Sequence, residues 1–252
     1  MFGGMRVALF ATCLVDGLRP EVGRATARLL RRLGHDVVVP PAQTCCGQMH
    51  VNTGYPKQAA GLVANHVRAF AGADVVVTPS GSCAGAIRHQ HEDVARRHGP
   101  PGLAGDAAAV AGRTYELSEF IVDVLGLTDV GAYYPHRVTY HPTCHSLRVL
   151  RVGDRPLRLL RAVRGIDLVE LPEAEQCCGF GGTFALKNPG VSAAMLADKL
   201  AAIHATGAEY CTAGDASCLL HIWGGLSRAG SPAGTVHLAE ILASTKDTEE
   251  EA

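Results

Sequence analysis

RVALFATC at Arg6–Cys13 and RVTYHPTC at Arg137–Cys144 share one design: a basic residue, a short run suited to a strand, and a cysteine where the run ends. From each of them the chain continues in the same order. Short runs rich in Val, Ile and Leu alternate with longer amphipathic stretches, the pattern of strand–helix units that build a parallel sheet. The first half reads as strands near Arg6–Thr12, Asp36–Pro40 and Asp74–Pro79, with helices over Glu21–Leu33, Tyr55–Ala71 and Cys83–His98. The second reads as strands near Arg137–Thr143, Asp167–Leu171 and Ala208–Thr212, with helices over Pro156–Val163 and Pro189–Thr206. Asn188 is expected to cap the last of these, because its side chain can accept from the first free amides and Pro189 loses no intrahelical bond at the first helical position.

Eight of the nine cysteines fall into a pattern that is likewise written twice. Cys-Cys-Gly occurs at Cys45–Gly47 and Cys177–Gly179. In the first half 31 residues separate Cys13 from the pair and 36 separate the pair from Cys83; for Cys144 and Cys218 in the second half the separations are 32 and 39. Each group follows one expected strand. In an open parallel sheet the loops at the carboxyl ends of the strands face one crevice, so cysteines some 70 positions apart can meet there. Gly47 and Gly179 fit this arrangement, since adjacent thiols face one site only if the backbone turns sharply, and glycine takes positive φ without a steric penalty. The amides of Cys178–Thr183, in CGFGGT, could donate to sulfide or thiolate as a nest.

The expected fold is therefore α/β: two duplicated Rossmann-like three-layer halves with parallel sheets and cysteine sites at the carboxyl ends of the strands. Residues 1–126 would form the first Cys-Cys-Gly repeat with a linker helix, and 127–252 the second with an acidic tail. Gly99–Gly112, rich in Gly, Pro and Ala, reads as a surface loop or linker, followed by a helix over Leu117–Leu125. Thr235–Ala243 reads as a last strand–helix piece that closes the second half or packs on the first. The tail from Lys246, KDTEEEA, reads as a frayed end.

Composition narrows the chemistry. At 252 residues and a net charge of −1, with Lys and Arg scattered, the chain offers no footprint for nucleic acid or an anionic membrane. No run reaches the roughly 20 apolar residues of a membrane span, and the start leads into a strand rather than a signal peptide, so a cytoplasmic location is expected. In a reducing compartment nine cysteines read as metal ligands or redox groups rather than a disulfide framework. Cys13, Cys45, Cys46, Cys83, Cys144, Cys177, Cys178 and Cys218 are the candidate ligands. Buried core cysteines are the bland alternative, which suits Cys211, within an expected strand and without a counterpart. On ligand type alone, four thiolates fit zinc or an iron–sulfur cluster; three distant loops plus an adjacent pair suggest something wider than zinc.

His141 and His145 flank Cys144 and could hydrogen-bond a sulfur, relay a proton or replace a ligand, or be ordinary loop histidines. His221, three residues after Cys218, is weighed the same way. His89, His91 and His98 fall on an expected surface helix and read as solvated. Lys187 could pair with an anion but reads more readily as a solvated side chain. Gly179-Phe-Gly-Gly lacks the spacing of a dinucleotide fingerprint, and no phosphate-binding loop occurs.

TCLVD at Thr12–Asp16, CCGQ at Cys45–Gln48, PSGSC at Pro79–Cys83, YHPTCH at Tyr140–His145, CCGFGGTFALK at Cys177–Lys187 and ASCLLH at Ala216–His221 together resemble the cysteine-rich CCG-domain proteins. That group includes the cysteine-rich subunit of heterodisulfide reductase and the iron–sulfur subunit of glycolate oxidase. CCGFGGTF, GSC and SCLL are most similar to its lactate-oxidising branch. The resemblance covers about residues 5–243. It implies two four-iron four-sulfur clusters, cubane or non-cubane, held by the eight cysteines, in an electron-transfer subunit of a cytosolic complex that oxidises L-lactate to pyruvate. The implied partners are a larger ferredoxin-type iron–sulfur subunit and a smaller companion subunit, with a small hydroxy acid as substrate. A heterodisulfide reductase-like or glycolate oxidase-like subunit and a structural zinc protein are the alternatives. In the non-cubane form the third loop carries Cys-x-x-Cys; Ser80 and Asp215 stand at the first of those positions here, where either could offer oxygen to iron or leave it open.

Overall fold

A computed structural model describes residues 4–247, so most of the acidic tail, Thr248–Ala252, lies outside the described residues. The chain divides into two compact units, Met1–Leu125 and Gly126–Ala252. In the first, β1 (Arg6–Leu9), α1 (Cys13–Leu18), α2 (Pro20–Arg32), β2 (Asp36–Val38), α3 (Gln48–Asn52), α4 (Pro56–Phe70) and β3 (Val75–Thr78) are followed by α5 (Gly81–His89), α6 (His91–His98), α7 (Leu103–Ala111), β4 (Thr114–Glu116) and α8 (Leu117–Glu119), which runs on as a π-helical turn over Phe120–Val124. The four strands pair parallel in the order β2-β1-β3-β4. Val7 lies between Val37 and Val75 in register. Such strands are covered on both faces and therefore apolar throughout; Val75, Val76, Val77 and Thr78 are all buried.

The second unit repeats this plan. Its elements are β5 (Arg137–Tyr140), a π-helical turn over Ser146–Leu150, α9 (Arg155–Arg161), β6 (Asp167–Val169), α10 (Phe184–Lys187), α11 (Pro189–Thr206), β7 (Tyr210–Ala213), α12 (Ala216–Arg228), β8 (Gly234–His237) and α13 (Leu238–Ala243). The sheet order is β6-β5-β7-β8, again all parallel. Both orders reverse direction at the first strand of their unit, which opens a crevice at the carboxyl ends of the central strands. The expected α/β class with duplicated parallel layers holds.

Several local expectations do not. Gly99–Gly112 is not a loop throughout: α7 occupies Leu103–Ala111, burying Leu103, Ala107 and Val110 on one face. Its alanine-rich sequence is a strong helix former, and only the Gly-Pro-Pro-Gly before it makes a turn. The strand that follows it, β4, is three residues long and too short for a periodicity signal. The helix expected over Cys83–His98 breaks at Gln90 into α5 and α6. Asn188 makes no side-chain capping bond, although Pro189 does open α11. α12, rich in Gly, Ser and Leu, was not anticipated. Thr235–Ala243 closes the second sheet, with β8 pairing to β7. Among the described residues no helix is long and apolar enough to cross a membrane.

His91 is also corrected: it is 2% exposed, and its Nε2 lies 2.8 Å from the Cys46 carbonyl. Its neighbour His66 on α4 is equally buried, with ring centroids 4.9 Å from Phe10, 4.6 Å from Phe70 and 5.1 Å from His91. His66 Nε2 has no hydrogen-bond partner. Burial, reinforced by His91, pulls the His66 imidazole down to about 3. Since that lies below the ordinary 6.5, the neutral ring's contribution to stability is complete above pH 6.5 and is lost as pH falls toward 3. Between pH 7 and 4 this one group should remove on the order of 3 kcal/mol. Urea unfolding of His66→Phe across that range should show a flatter pH dependence than the parent; an unchanged slope would reject the assignment.

Candidate metal centres

In each unit the four candidate cysteines issue from the loops that follow the strands. Cys13 opens α1 directly after β1, Cys45 and Cys46 precede α3, and Cys83 lies in the first turn of α5. The backbone reaches these positions under strain. Thr12 and Thr143, the residues before Cys13 and Cys144, adopt φ of 60° and 48°, unusual for a β-branched residue and of the kind that clusters at functional sites. Gly47 and Gly179 take φ of 83° and 91°. This left-handed turn points the Gly47 amide at Cys45 Sγ, 3.3 Å away, and the Gly179 amide at Cys177 Sγ at the same distance.

The first-unit sulfurs form a chain of contacts. Cys13 hydrogen-bonds Cys45, Cys45 contacts Cys46, and Cys46 Sγ lies 3.4 Å from Cys83 Sγ. Accepting from the Cys13 and Cys46 thiols and from the Gly47 amide holds the Cys45 thiol far down, while the hydrogen bond to Cys45 and burial push Cys13 up. The second unit repeats the electrostatics: Cys177 is held down by Cys144 and Cys178, and Cys144 and Cys178 are pushed up. Cys13 is exposed, Cys144 is half-buried, and Cys46, Cys83, Cys178 and Cys218 are buried, so each group has a wet edge and a dry base. A thiol quartet sharing charge in this way is a soft donor set suited to zinc or iron–sulfur. Cys211 lies on β7 outside the quartet, fully buried in the core, where burial pushes its thiol to about 12.

Neighbouring groups tie the loops together. In the first unit Gln43 accepts from the Ala11 amide at 2.8 Å and donates to the Leu9 carbonyl, and Gln48 donates to the Ser82 carbonyl. Ser80 caps α5 by accepting from the Cys83 amide at 3.2 Å. Its counterpart Asp215, 1% exposed, makes no such cap; it accepts instead from the Thr143 hydroxyl at 2.9 Å, which fixes the strained residue before Cys144. His145 Nδ1 is 3.6 Å from Cys144 Sγ. His221 is half-buried, its Nε2 3.4 Å from Ser192 Oγ, and Ser192 donates to the Gly179 carbonyl. His89, His98 and Lys187 are exposed.

Two residues carry more weight than sequence reasoning gave them. Lys199 on α11 is completely buried; its Nζ donates to the carbonyls of Glu173 and Ala174 at 2.8 and 3.4 Å, beneath the loop that leads to Cys177. It stands ten residues after Pro189, where the first unit has His66 ten after Pro56. Comparing the two helices position by position would have singled it out. His141 is 1% exposed, its ring hydrogen-bonded at most to the Ala174 backbone; burial, with Lys199 adding, draws its imidazole down to about 4.

The CCG cysteine-rich domain pattern matches the chain twice, over residues 7–88 and 138–223. "Lactate utilization protein A" of Geobacillus kaustophilus is 49% identical over 238 residues, which span 94% of this chain and 98% of the relative. The protein of that name from Oceanobacillus iheyensis is 45% identical, spanning 94% and 96%. Among solved structures, a hypothetical protein from Helicobacter pylori superposes with a TM-score of 0.66 at 12% identity, covering 94% of this chain and 48% of that one. The chain thus spans about half of that protein, and the likeness bears on the fold alone.

The two glycines differ in their surroundings. A Cβ on Gly47 would meet only side-chain carbon at 3.4 Å or more, whereas on Gly179 it would stand 2.6 Å from the Ser192 carbonyl oxygen. Gly47→Ala should therefore cost roughly 1–2 kcal/mol, the left-handed penalty alone. Gly179→Ala should cost clearly more, measured by urea unfolding of both variants; equal losses would show that the Ser192 contact is unimportant.

Proposed function

We infer the function from one premise: the chain belongs to the cysteine-rich CCG-domain family, and its relatives along nearly its whole length are named lactate utilization protein A. We propose that it is the iron–sulfur electron-transfer subunit of a cytoplasmic complex that oxidises L-lactate to pyruvate. The observation that carries this reading is the pair of equivalent thiol quartets at the carboxyl ends of the two sheets. Bound iron–sulfur clusters would take up and pass on electrons singly, which the two-electron oxidation of a hydroxy acid needs if its acceptor takes one at a time.

The chain's own residues supply the setting. Cys13, Cys45, Cys46 and Cys83 would hold one cluster, and Cys144, Cys177, Cys178 and Cys218 the other. Gly47 and Gly179 amides donate to sulfur, which favours the thiolate form. The buried bases formed by Cys46 with Cys83 and by Cys178 with Cys218 exclude water, and the outer Cys13 and Cys144 lie toward solvent. Lys199 sets a buried cation beneath the second quartet. Two clusters that relay electrons need partners to bind lactate and receive the electrons. The proposed partners are a larger ferredoxin-type iron–sulfur subunit and a smaller companion protein; Leu186, Val191 and Trp223, large apolar side chains exposed on α10, α11 and α12, are surface available to them.

Anaerobically purified protein should contain about eight irons and eight sulfides per chain, and replacing both Cys177 and Cys178 with serine should halve both. Zinc without sulfide would instead indicate a structural zinc protein. A strain lacking the gene should fail to grow on L-lactate as sole carbon source and regain growth with the intact gene but not with Cys45→Ser/Cys46→Ser. Normal growth of the deletion strain would overturn the lactate assignment while leaving the metal content to be judged separately.

A further inference from the structure

We propose that His141 is a metal ligand of the second centre, so that the first site offers thiolate alone and the second offers thiolate and imidazole. The inference deepens the iron–sulfur reading above and rests on it. The donor atoms of His141, Cys178 and Cys218 all lie within 4.8 Å of one another, the one such set of three among the described residues. Donor atoms that share one tetrahedral metal stand somewhat closer together than that, so His141 lies within reach of metal held at the base formed by Cys178 and Cys218.

The ring itself demands a partner. It follows β5 directly and is 1% exposed; its ring has a hydrogen bond to the Ala174 backbone, which leaves the other buried nitrogen without a partner. Buried polar atoms are ordinarily satisfied. A buried aromatic is needed at this place in either unit, but it need not be a histidine: Phe10, three residues before Cys13 as His141 is before Cys144, fills the equivalent position and packs in the core with Cys46 and Cys83. Phenylalanine meets the packing requirement without any polar penalty. What imidazole adds is a nitrogen donor beside two buried sulfurs, and imidazole is a good ligand for iron and zinc alike.

Full-length protein, loaded anaerobically with ferrous iron and sulfide, is reduced and studied by pulsed electron paramagnetic resonance with natural-abundance and 15N-histidine labelling. A histidine nitrogen coupling that changes isotope with the label and disappears in His141→Phe, together with a lower iron content of that variant, is the expected result. His141→Cys, which restores a ligand without nitrogen, should keep the iron that His141→Phe loses and also lack the coupling; this second variant decides the matter if the first folds poorly. Iron-loaded parent protein without nitrogen coupling, or coupling that persists in both variants, overturns the inference and leaves the iron–sulfur reading standing. Failure of the parent to take up iron and sulfide overturns both.

Discussion

Four thiols pressed together at the end of a parallel sheet cannot all ionise, because each thiolate raises the pKa of its neighbours. The structure answers this by placing one cysteine of each quartet, Cys45 or Cys177, where two thiols and a backbone amide donate to it. Ionisation of the other thiols would become tolerable with a cation among the sulfurs. The strands, turns and capping side chains of each unit hold those sulfurs in contact, which is the electrostatic setting a metal would complete.

The backbone shows where that need is met. Thr12 and Thr143 take left-handed φ values immediately before a candidate ligand, and Gly47 and Gly179 do so immediately after a pair of them. Strain of this kind persists only where the surroundings over-determine it. At Thr143 the surroundings are visible: a hydroxyl bonded to a buried Asp215, whose own position at the start of α12 puts it three residues before Cys218. One hydrogen bond thus couples the first and third loops of the unit, as Gln48 couples the second and third loops of the other.

Much of this was legible before any coordinates. The strands β1, β3 and β5 and the long α4 and α11 declare themselves by their apolar pattern and flanking Pro, and the doubled cysteine spacing points to the strand ends. What was illegible is physically coherent. β4 is too short to show alternation, α7 is built from alanines that look like linker composition, and α12 carries the adjacent Gly224 and Gly225, which weaken a helical pattern. His91 reads as a surface residue because α6 carries Glu92, Asp93, Arg96 and Arg97; only the three-dimensional contact with the Cys46 carbonyl reveals its inward face. Lys199 was hidden by its charge, since a lysine on a helix is ordinarily solvated, and its two carbonyl partners lie 25 and 26 residues away in sequence.

The duplication explains the common frame and, by contrast, isolates what differs. Behind the first quartet stand Phe10 and the imidazoles of His66 and His91, which burial keeps neutral. At the places that match Phe10 and His66 stand His141 and Lys199, so an apolar ring has become a nitrogen donor and a neutral imidazole has become an ammonium. A buried cation is expensive unless something negative compensates it. Two carbonyls do so only in part, and burial still draws the Lys199 ammonium down. A metal–thiolate group of net negative charge above it would supply further counter-charge. Two sites with the same sulfur frame but linings of unequal charge would take up an electron with unequal ease, which is the property a relay needs to give electron flow a direction.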